Sequence, residues 1–265
     1  MFFNRNYGKN KMRLDAFLFK IKKFVSRNKA TEAIERGVVF VNGKQILKPS
    51  FSVDGNEDIK LDESEKSFVS NGGYKLEKAF EDFKFSANGL TFIDVGASTG
   101  GFTDCLLKRG ASKVYALDVG ESLLSNELKS NPKVTVIDNF NARNLTAEII
   151  GEKVDGIVCD VSFISLTYVL SQIFYALKDD GFAVVLIKPQ FECGKKQLNK
   201  NGIVTDKKAR VECVKKIIDY SSAIGFYPTK FTFAPIKPDK NKEYLLFLSK
   251  LNAEIIKFSN IENLI

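Results

Sequence analysis

Hydrophobic positions divide the chain into a short N-terminal part and a longer part in which strand and helix patterns alternate. In the N-terminal part, apolar residues at helical spacing predict an amphipathic helix over residues 15–24: Leu14, Phe17, Leu18 and Ile21. A second helix is predicted over residues 29–35, with Ser26 as its N-cap and Gly37 at its end. Two short strands over residues 38–46 surround Asn42-Gly43, a strong hairpin signal, and another strand is predicted over residues 58–61.

The longer part begins at residue 72. Its predicted helices cover residues 72–83, 102–108, 166–177 and 207–224, and its predicted strands cover residues 91–95, 113–118, 133–137, 154–160, 182–187, 230–234 and 243–249. This alternation is typical of an α/β domain with a doubly wound, mostly parallel sheet. The expected organisation is an N-terminal extension (1–11), a small α+β module (12–61), a linker (62–71) and an α/β domain (72–265).

Composition narrows the class of protein. The 265 residues are 44% hydrophobic and 27% charged, which excludes a disordered or fibrous chain. The longest apolar run, Phe182 to Ile187, is far shorter than the roughly 20 residues of a membrane helix, and the polar N-terminus shows no secretory signal. Four cysteines without a CxxC pair predict neither a zinc site nor a disulfide scaffold, and they fit a reducing cytosol. We therefore expect a cytoplasmic protein without a bound metal.

The absence of histidine restricts the chemistry further. The chain contains none, so Ser-His-Asp and Cys-His catalysis and histidine zinc sites are excluded. Proton transfer must fall to Lys, Asp, Glu, Tyr or Cys.

Charge is concentrated at the N-terminus. Residues 1–50 contain twelve Lys/Arg and three Asp/Glu, a net charge of +9, whereas the rest of the chain has a net charge of −1. This asymmetry indicates a segment that binds nucleic acid or an anionic membrane, joined to a nearly neutral body. A charged surface that only contacts solvent is the alternative.

A glycine-rich loop follows the first strand of the α/β domain. Its order, Gly96-x-x-x-Gly100-Gly101, differs from the GxGxxG of dinucleotide sites, and a P-loop lysine is missing. An acid before the loop, Asp94, and a second one at the end of the next strand, Asp118, suit S-adenosyl-L-methionine, with Asp118 accepting from the ribose hydroxyls. A purely structural strand-to-helix turn is the alternative. The candidate cofactor residues are Asp94, Gly96, Ala97, Ser98, Thr99, Gly100, Gly101, Phe102, Asp118, Val119 and Asp160.

The N-terminal module resembles the α-L RNA-binding fold of ribosomal proteins and pseudouridine synthases. The similarity lies in Arg13-Leu14-Asp15, Ser26-Arg27, Ala30, Ile34, Gly37 and Val41-Asn42-Gly43. It implies that basic side chains of two helices neutralise RNA phosphates rather than read bases. The positions assigned to this role are Arg13, Lys20, Lys22, Lys23, Arg27 and Lys29.

The α/β domain resembles the FtsJ-like ribose methyltransferases, a Rossmann-like fold that uses S-adenosyl-L-methionine. Four positions match the Lys-Asp-Lys-Glu tetrad of that family in order and context: Lys75, Asp160, Lys188 and Glu243. Together with the N-terminal module, Ser70-x-Gly72-Gly73-x-Lys75, Asp160-x-Ser162-Phe163 and Lys188-Pro-Gln-Phe-Glu192 resemble the TlyA family, bacterial rRNA 2′-O-methyltransferases that are also called haemolysins. The resemblance implies ribosomal RNA or ribosomal subunits as partners and cytidine as the target. One departure is Asn71, where the family pattern has arginine.

The resemblance also implies roles for the tetrad. A lysine beside a second lysine and a cationic cofactor has a lowered pKa and can accept the proton of a ribose hydroxyl. Lys188 is assigned as this base, and Lys75 positions the hydroxyl and lowers the pKa of Lys188. Asp160 orients Lys188 and the methyl group, and Glu243 holds the lysines. For any single residue the alternative is an ordinary surface lysine or strand-end acid.

Other functions fit the sequence less well. The position after the fourth strand lacks the (N/D)PP(Y/F) loop of amino-methylating enzymes, and neither Cys159 nor Cys193 has the Pro-Cys setting of a cytosine-C5 nucleophile. A membrane-active haemolysin would need a signal or apolar segment that is not seen. A non-catalytic RNA-binding assembly factor would leave the glycine loop and the tetrad unexplained. The oligomeric state and the target nucleotide stay open.

Overall fold

The structure is a computed structural model of the chain and describes residues 11–24, 26–62, 68–121, 123–235 and 240–265. The chain divides into two compact units, Met1–Ser67 and Phe68–Ile265. In the smaller unit the helices are α1 (Leu14–Lys20) and α2 (Arg27–Arg36), and the strands are β1 (Met12–Arg13), β2 (Val39–Val41), β3 (Lys44–Gln45), β4 (Ser52–Val53) and β5 (Ile59–Leu61). Strands β3, β2 and β5 form an antiparallel sheet in that order, and β1 pairs with β4.

The residues predicted to cap helices and form turns in the smaller unit have the expected geometry. The Ser26 hydroxyl accepts the backbone N–H of Lys29 at 3.2 Å, and Gly37 ends α2 with a φ of 83°. Asn42 and Gly43 both have positive φ, as a two-residue hairpin turn requires. The predicted helix over residues 15–24 is shorter, because the chain leaves α1 after Lys20. The pair β1–β4 was not predicted, since two-residue strands carry no periodicity.

The larger unit contains a seven-stranded sheet covered by helices on both faces. Its strands are β6 (Thr91–Val95), β7 (Lys113–Leu117), β8 (Val134–Ile137), β9 (Val154–Cys159), β10 (Leu177–Ile187), β11 (Tyr227–Phe233) and β12 (Tyr244–Ser249). Its helices are α3 (Asn71–Phe83), α4 (Gly101–Lys108), α5 (Asn126–Lys129), α6 (Ala147–Ile150), α7 (Leu170–Ala176), α8 (Pro189–Glu192), α9 (Lys207–Ala223) and α10 (Phe258–Ile261). The strand order is β11-β12-β10-β9-β6-β7-β8, in which β6 to β10 are parallel and β12 is antiparallel to both neighbours. This confirms the predicted α/β fold.

Alternation along the central strands separates two apolar layers. Phe92, for example, packs in the layer that contains α3 and α4, whereas its neighbour Ile93 packs in the layer that contains α7 and α9. The central strands are buried on both faces, which is why they read as continuous apolar runs. Because these strands are parallel, their carboxyl ends lie on the same side of the sheet, where open α/β sheets bind their ligands.

Several predicted boundaries are corrected by the structure. Strand β10 begins at Leu177 rather than residue 182, with an irregularity between Leu177 and Phe182, and this shortens the preceding helix to α7. That helix is also interrupted at its start by a 3-10 turn, Leu166–Tyr168. Asp118 and Asp160 lie one residue beyond their strands, and Glu243 lies one residue before β12. The four-residue helices α5, α6, α8 and α10 were not predicted, because so few residues show no periodicity.

Candidate active site

The glycine loop lies at the carboxyl end of β6, an interior strand between β9 and β7. Gly96 and Gly100 have φ values of 86° and 94°, which favour glycine. A Cβ on Gly96 would lie 2.6 Å from the carbonyl oxygen of Asp160. The backbones of the loop and of Asp160 are therefore too close to leave room for a side chain at position 96. The loop can therefore bring its own backbone close to a ligand while Asp160 stays beside it.

Asp118 fastens the loop to the next strand. Its Oδ2 accepts the backbone N–H of Ser98 at 2.7 Å, and its Oδ1 accepts that of Gly120 at 2.8 Å. A carboxylate has about four lone-pair sites, so two remain for the hydroxyls of a ribose. Val119, beside it, is exposed.

Asp94 is fully buried beneath the loop, and one of its oxygens has no partner. The Thr103 hydroxyl donates to Oδ2 at 2.7 Å, whereas Oδ1 has no hydrogen bond among the described residues. The pKa of Asp94 is raised to about 7: burial is the main cause, the Thr103 hydrogen bond opposes it, and the nearby Asp160 carboxylate adds to it. A buried carboxylate oxygen without a donor fits a ligand that brings an amino group, such as S-adenosyl-L-methionine.

The four predicted tetrad residues come together at the same edge of the sheet. Asp160 lies between the two lysines: its Oδ1 is 2.6 Å from Lys188 Nζ and its Oδ2 is 3.7 Å from Lys75 Nζ. Glu243 Oε2 is 2.6 Å from Lys75 Nζ, and the side-chain amide of Gln190 donates to Glu243 Oε1 at 3.4 Å. The cluster thus pairs two ammonium groups with two carboxylates and is only partly open to solvent.

The environment of Lys75 keeps it charged. Burial alone lowers the pKa of this lysine, but the carboxylates of Asp160 and Glu243 outweigh it and hold the pKa above its ordinary value. A lysine with a raised pKa is suited to hold an oxygen in place as an ammonium and poorly suited to accept a proton.

Glycines place Lys75 beside Asp160. Gly72 and Gly73, in the first turn of α3, pack against Gly101 at the start of α4, and a Cβ on Gly101 would lie 2.8 Å from the backbone nitrogen of Gly73. The contact requires glycine at position 101, whereas Gly73 is required by Phe68, whose side chain would lie 2.4 Å from a Cβ there. Asn71, where the family pattern has arginine, is the first residue of α3.

Three residues near the tetrad belong to the family motifs, but the sequence alone assigns them no role: Ser162, Phe163 and Glu192. Phe163 is 91% exposed, has a φ of 64°, and its ring lies 5.1 Å from that of Phe191. Positive φ is strained for an aromatic residue and persists only where the surroundings enforce it. An exposed aromatic ring held this way beside Phe191 offers a flat surface for stacking.

The basic residues of the smaller unit differ in their availability. Arg13 and Arg27 form ion pairs with the buried Asp15 at 2.9 and 3.1 Å, although both guanidinium side chains stay half exposed. Burial raises the pKa of Asp15, but its hydrogen bonds, those from Arg13 foremost, outweigh this and lower it below the ordinary value. Lys29 pairs with Glu32 at 3.4 Å, whereas Lys22 and Lys23 are exposed on the turn after α1.

The larger unit also contains a basic segment, which its nearly neutral total conceals. Residues 195–216 contain eight Lys/Arg and two Asp/Glu, a net charge of +6. Asn241 anchors this segment by accepting the backbone N–H of Val204 and donating to the carbonyl of Gly202. Because Asn241 and Glu243 are two residues apart, the anchor lies within about 7 Å of the tetrad backbone.

Two of the cysteines lie in surroundings that disfavour the thiolate. Burial raises the pKa of the Cys159 and Cys193 thiols, which agrees with their interpretation as apolar residues rather than nucleophiles. The part of the chain that the structure describes contains no cluster of three or more Cys, Asp or Glu arranged to hold a metal ion. None of its helices combines the length and hydropathy that crossing a membrane requires.

A Rossmann-like sheet whose first strand leads into this glycine loop, next to a Lys-Asp-Lys-Glu cluster, defines a methyltransferase that uses S-adenosyl-L-methionine. Residues 68–250 match the FtsJ-like methyltransferase family, and residues 12–59 match the S4 domain. The chain therefore belongs to the FtsJ-like methyltransferases, in the group with an N-terminal S4 domain that includes TlyA.

Individual relatives agree with this assignment. Hemolysin A of Brachyspira hyodysenteriae is 42% identical over 236 residues, 88% of this chain and 98% of that protein. The 16S/23S rRNA (cytidine-2′-O)-methyltransferase TlyA of Mycobacterium tuberculosis is 37% identical over 253 residues, 95% of this chain and 94% of that protein. A solved structure from Streptococcus thermophilus, described as a hemolysin, has a TM-score of 0.73 at 33% identity and covers 97% of this chain and 95% of that one.

Proposed function

We propose that this enzyme transfers a methyl group from S-adenosyl-L-methionine to the 2′-hydroxyl of a cytidine in ribosomal RNA, acting on ribosomal subunits in the cytoplasm. The observation that carries the proposal is the shared carboxylate of Asp160, which lies within 4 Å of both lysines and against the cofactor loop at Gly96. The naming of the M. tuberculosis relative supports the substrate.

The residues of the glycine loop would hold the cofactor. The free Oδ1 of Asp94 would accept its amino group, and Asp118 would accept its ribose hydroxyls. S-adenosyl-L-methionine supplies a methyl group on a positively charged sulfur, which keeps the electron pair of the broken bond.

The tetrad would activate the ribose hydroxyl. Lys188 Nζ takes the 2′-hydroxyl proton as the 2′-oxygen attacks, because Lys75 is held as a cation by its two carboxylates and cannot serve as the base. Lys75 would donate to the reacting oxygen and hold it in position. Glu243 fixes Lys75, and Asp160 fixes Lys188.

Recognition of RNA would be shared between both units. The S4 module, expected over residues 12–61, would contact phosphates through its six assigned basic residues, all of which are exposed except the half-buried Lys29. The ring of Phe163 would stack on a base next to the reacting ribose, since it is exposed to solvent and held by a backbone at positive φ.

The test compares two lysine variants on purified ribosomal subunits. Lys188→Ala should abolish methyl transfer and leave the affinity for S-adenosyl-L-methionine, measured by calorimetry, within about twofold. Lys250→Ala is the matched control, because Lys250 is also buried but donates to the carbonyl of Leu177 at the other end of β10. Mass mapping of methylated nucleotides identifies the product, and normal turnover by Lys188→Ala would refute the assignment.

Haemolytic activity is tested with the same preparations. We expect no lysis of erythrocytes by protein that methylates ribosomal RNA. Lysis that persists in the Lys188→Ala variant, together with absent methylation by the unaltered protein, would contradict the proposed function.

A further inference from the structure

The ammonium of Lys188 has two acceptors rather than the single one that the tetrad provides. Its Nζ is 2.6 Å from Asp160 Oδ1 and donates to the hydroxyl of Ser162 at 2.8 Å. The ring of Phe191 also lies nearby, with its centre 5.9 Å from Nζ. The hydrogen bond to Ser162 and the ion pair with Asp160 therefore hold Nζ from two sides, which leaves a further direction available to a substrate.

This arrangement decides where a neutral lysine points its lone pair. After losing a proton, the amine keeps two N–H bonds, of which one can stay on Ser162 and the other can point toward the carboxylate of Asp160. The lone pair then occupies the third direction, where the ribose hydroxyl would lie. With Asp160 alone, the amine could rotate about its Cε–Nζ bond and present a second N–H to the hydroxyl instead. From this geometry we infer that Ser162 is a positioning residue that aims the lone pair of Lys188 at the reacting hydroxyl.

The loop that contains Ser162 is fixed by a buried carboxylate that the proposed chemistry does not use. Glu192, whose side chain is 1% exposed, accepts the backbone N–H of Leu166 at 2.8 Å and the hydroxyl of Ser165 at 2.5 Å. Lys216 balances its charge at 3.2 Å. A buried carboxylate with several donors is a rigid anchor, because leaving any of them unpaired is costly.

The other end of the same loop is fixed as well. The backbone N–H of Asp160 donates to the carbonyl of Val95 at 3.0 Å, so residues 160–166 run between two fixed points. The positive φ of Phe163 shows that these anchors hold the loop against its own backbone preference. Ser162 therefore meets Lys188 in a loop that is set before any ligand binds.

The inference rests on the proposed role of Lys188, and the experiment separates the two. Single-turnover rates of methyl transfer are measured at saturating RNA and cofactor for Ser162→Ala, Ser162→Thr and Lys188→Ala. Ser112→Ala is the matched control, since its hydroxyl donates to the carbonyl of Leu90 before β7, far from the site. Ser162→Ala should lower the rate about tenfold, the loss expected for a hydrogen bond to a charged group, with KM for RNA and cofactor affinity unchanged. Ser162→Thr, which keeps the hydroxyl, should restore the rate.

Each alternative outcome has one meaning. An unchanged rate for Ser162→Ala with inactive Lys188→Ala would overturn the inference and leave the proposed function intact. A raised KM with an unchanged rate would show that Ser162 contacts RNA instead, and equal losses in the alanine and threonine variants would show a role in packing; both overturn it. An active Lys188→Ala would overturn the proposed function itself.

Discussion

The buried carboxyl of Asp94 makes an unusual prediction: Asp94→Asn should stabilise the cofactor-free enzyme while weakening cofactor binding. The folded chain buries this group completely and raises its pKa from 3.8 to about 7. Between these values the folded state holds a proton that the unfolded state has released. The free energy of unfolding therefore falls as pH rises from about 4 to about 7, and the full penalty applies above pH 7.

The magnitude follows from the two pKa values. Each unit of difference between the unfolded and folded pKa corresponds to 1.36 kcal/mol, so ionised Asp94 lowers the free energy of unfolding at pH 8 by about 4 kcal/mol. Asparagine has nearly the same shape, cannot ionise and can still accept from the Thr103 hydroxyl. The variant should therefore gain most of this energy at pH 8 and none at pH 4.

The chain is well suited to the measurement because it contains no histidine. Asp94 is the carboxyl group, among the described residues, whose pKa is raised into the range where histidine normally titrates. Urea unfolding of the cofactor-free protein at pH 5, 6, 7 and 8 should show a decline that Asp94→Asn removes. Asp155→Asn is the control: burial raises the pKa of Asp155, but the Lys178 hydrogen bond and further partners outweigh this and lower it, so this variant should lose stability at every one of these pH values.

Cofactor binding provides the second half of the test. A cationic amino group beside Asp94 favours the ionised form, so binding should release a proton below pH 7 and strengthen as pH rises to about 7. Asp94→Asn should lose this dependence and at least tenfold in affinity. Equal pH dependence of unfolding in the unaltered protein and the variant would refute the reasoning, as would unchanged cofactor affinity.

Three further predictions concern the loop, the ribose contact and RNA binding. Gly96→Ala should abolish cofactor binding and lower Tm more than Gly151→Ala. Both positions need positive φ, but of these two only Gly96 lacks room for a Cβ. An equal fall in Tm for the two variants would contradict this. Asp118→Ala should weaken cofactor affinity by about 1–3 kcal/mol in calorimetry, and an unchanged value would place the ribose partner elsewhere. Replacing three exposed lysines of the basic segment by glutamine should lower the slope of log K for RNA binding against log salt concentration by about 0.7–0.9 per lost phosphate contact. The same replacement of three exposed lysines near the amino ends of the parallel strands should leave this slope unchanged. Equal slopes in both sets would exclude the segment from RNA binding. The tested set is Lys195, Lys196 and Lys200, and the control set is Lys84, Lys133 and Lys257.

The parts of the fold that sequence could predict are those encoded by neighbouring residues. The strand over residues 91–95 was predicted with its observed bounds, because a central parallel strand is a continuous apolar run between polar turns. The glycine loop was predicted for the same local reason. The family and the α/β fold were predicted from motifs and are confirmed by the matches over residues 12–59 and 68–250. The assignment of individual site residues stays a prediction.

What the sequence could not predict depends on contacts between distant residues. Glu192 lies 27 residues from its hydrogen-bond partner Ser165, and no local pattern connects them. The unpartnered oxygen of Asp94 is visible only when every donor around it is placed. Arg27 reads as a free basic residue until the fold brings it to Asp15, 12 residues away. Charge summed over the α/β domain likewise concealed the segment over residues 195–216.

The place of β12 in the sheet has a consequence for synthesis of the protein. This strand is made almost last, yet it lies between β10 and β11 and follows directly on Glu243. Until it emerges from the ribosome, β10 presents an open apolar edge, and Lys75 lacks the closer of its two carboxylates. A growing or prematurely terminated chain is therefore both prone to associate through that edge and unable to complete its charged cluster. The chain is therefore most prone to aggregate just before β12 pairs with β10, which is also the step that brings Glu243 to Lys75.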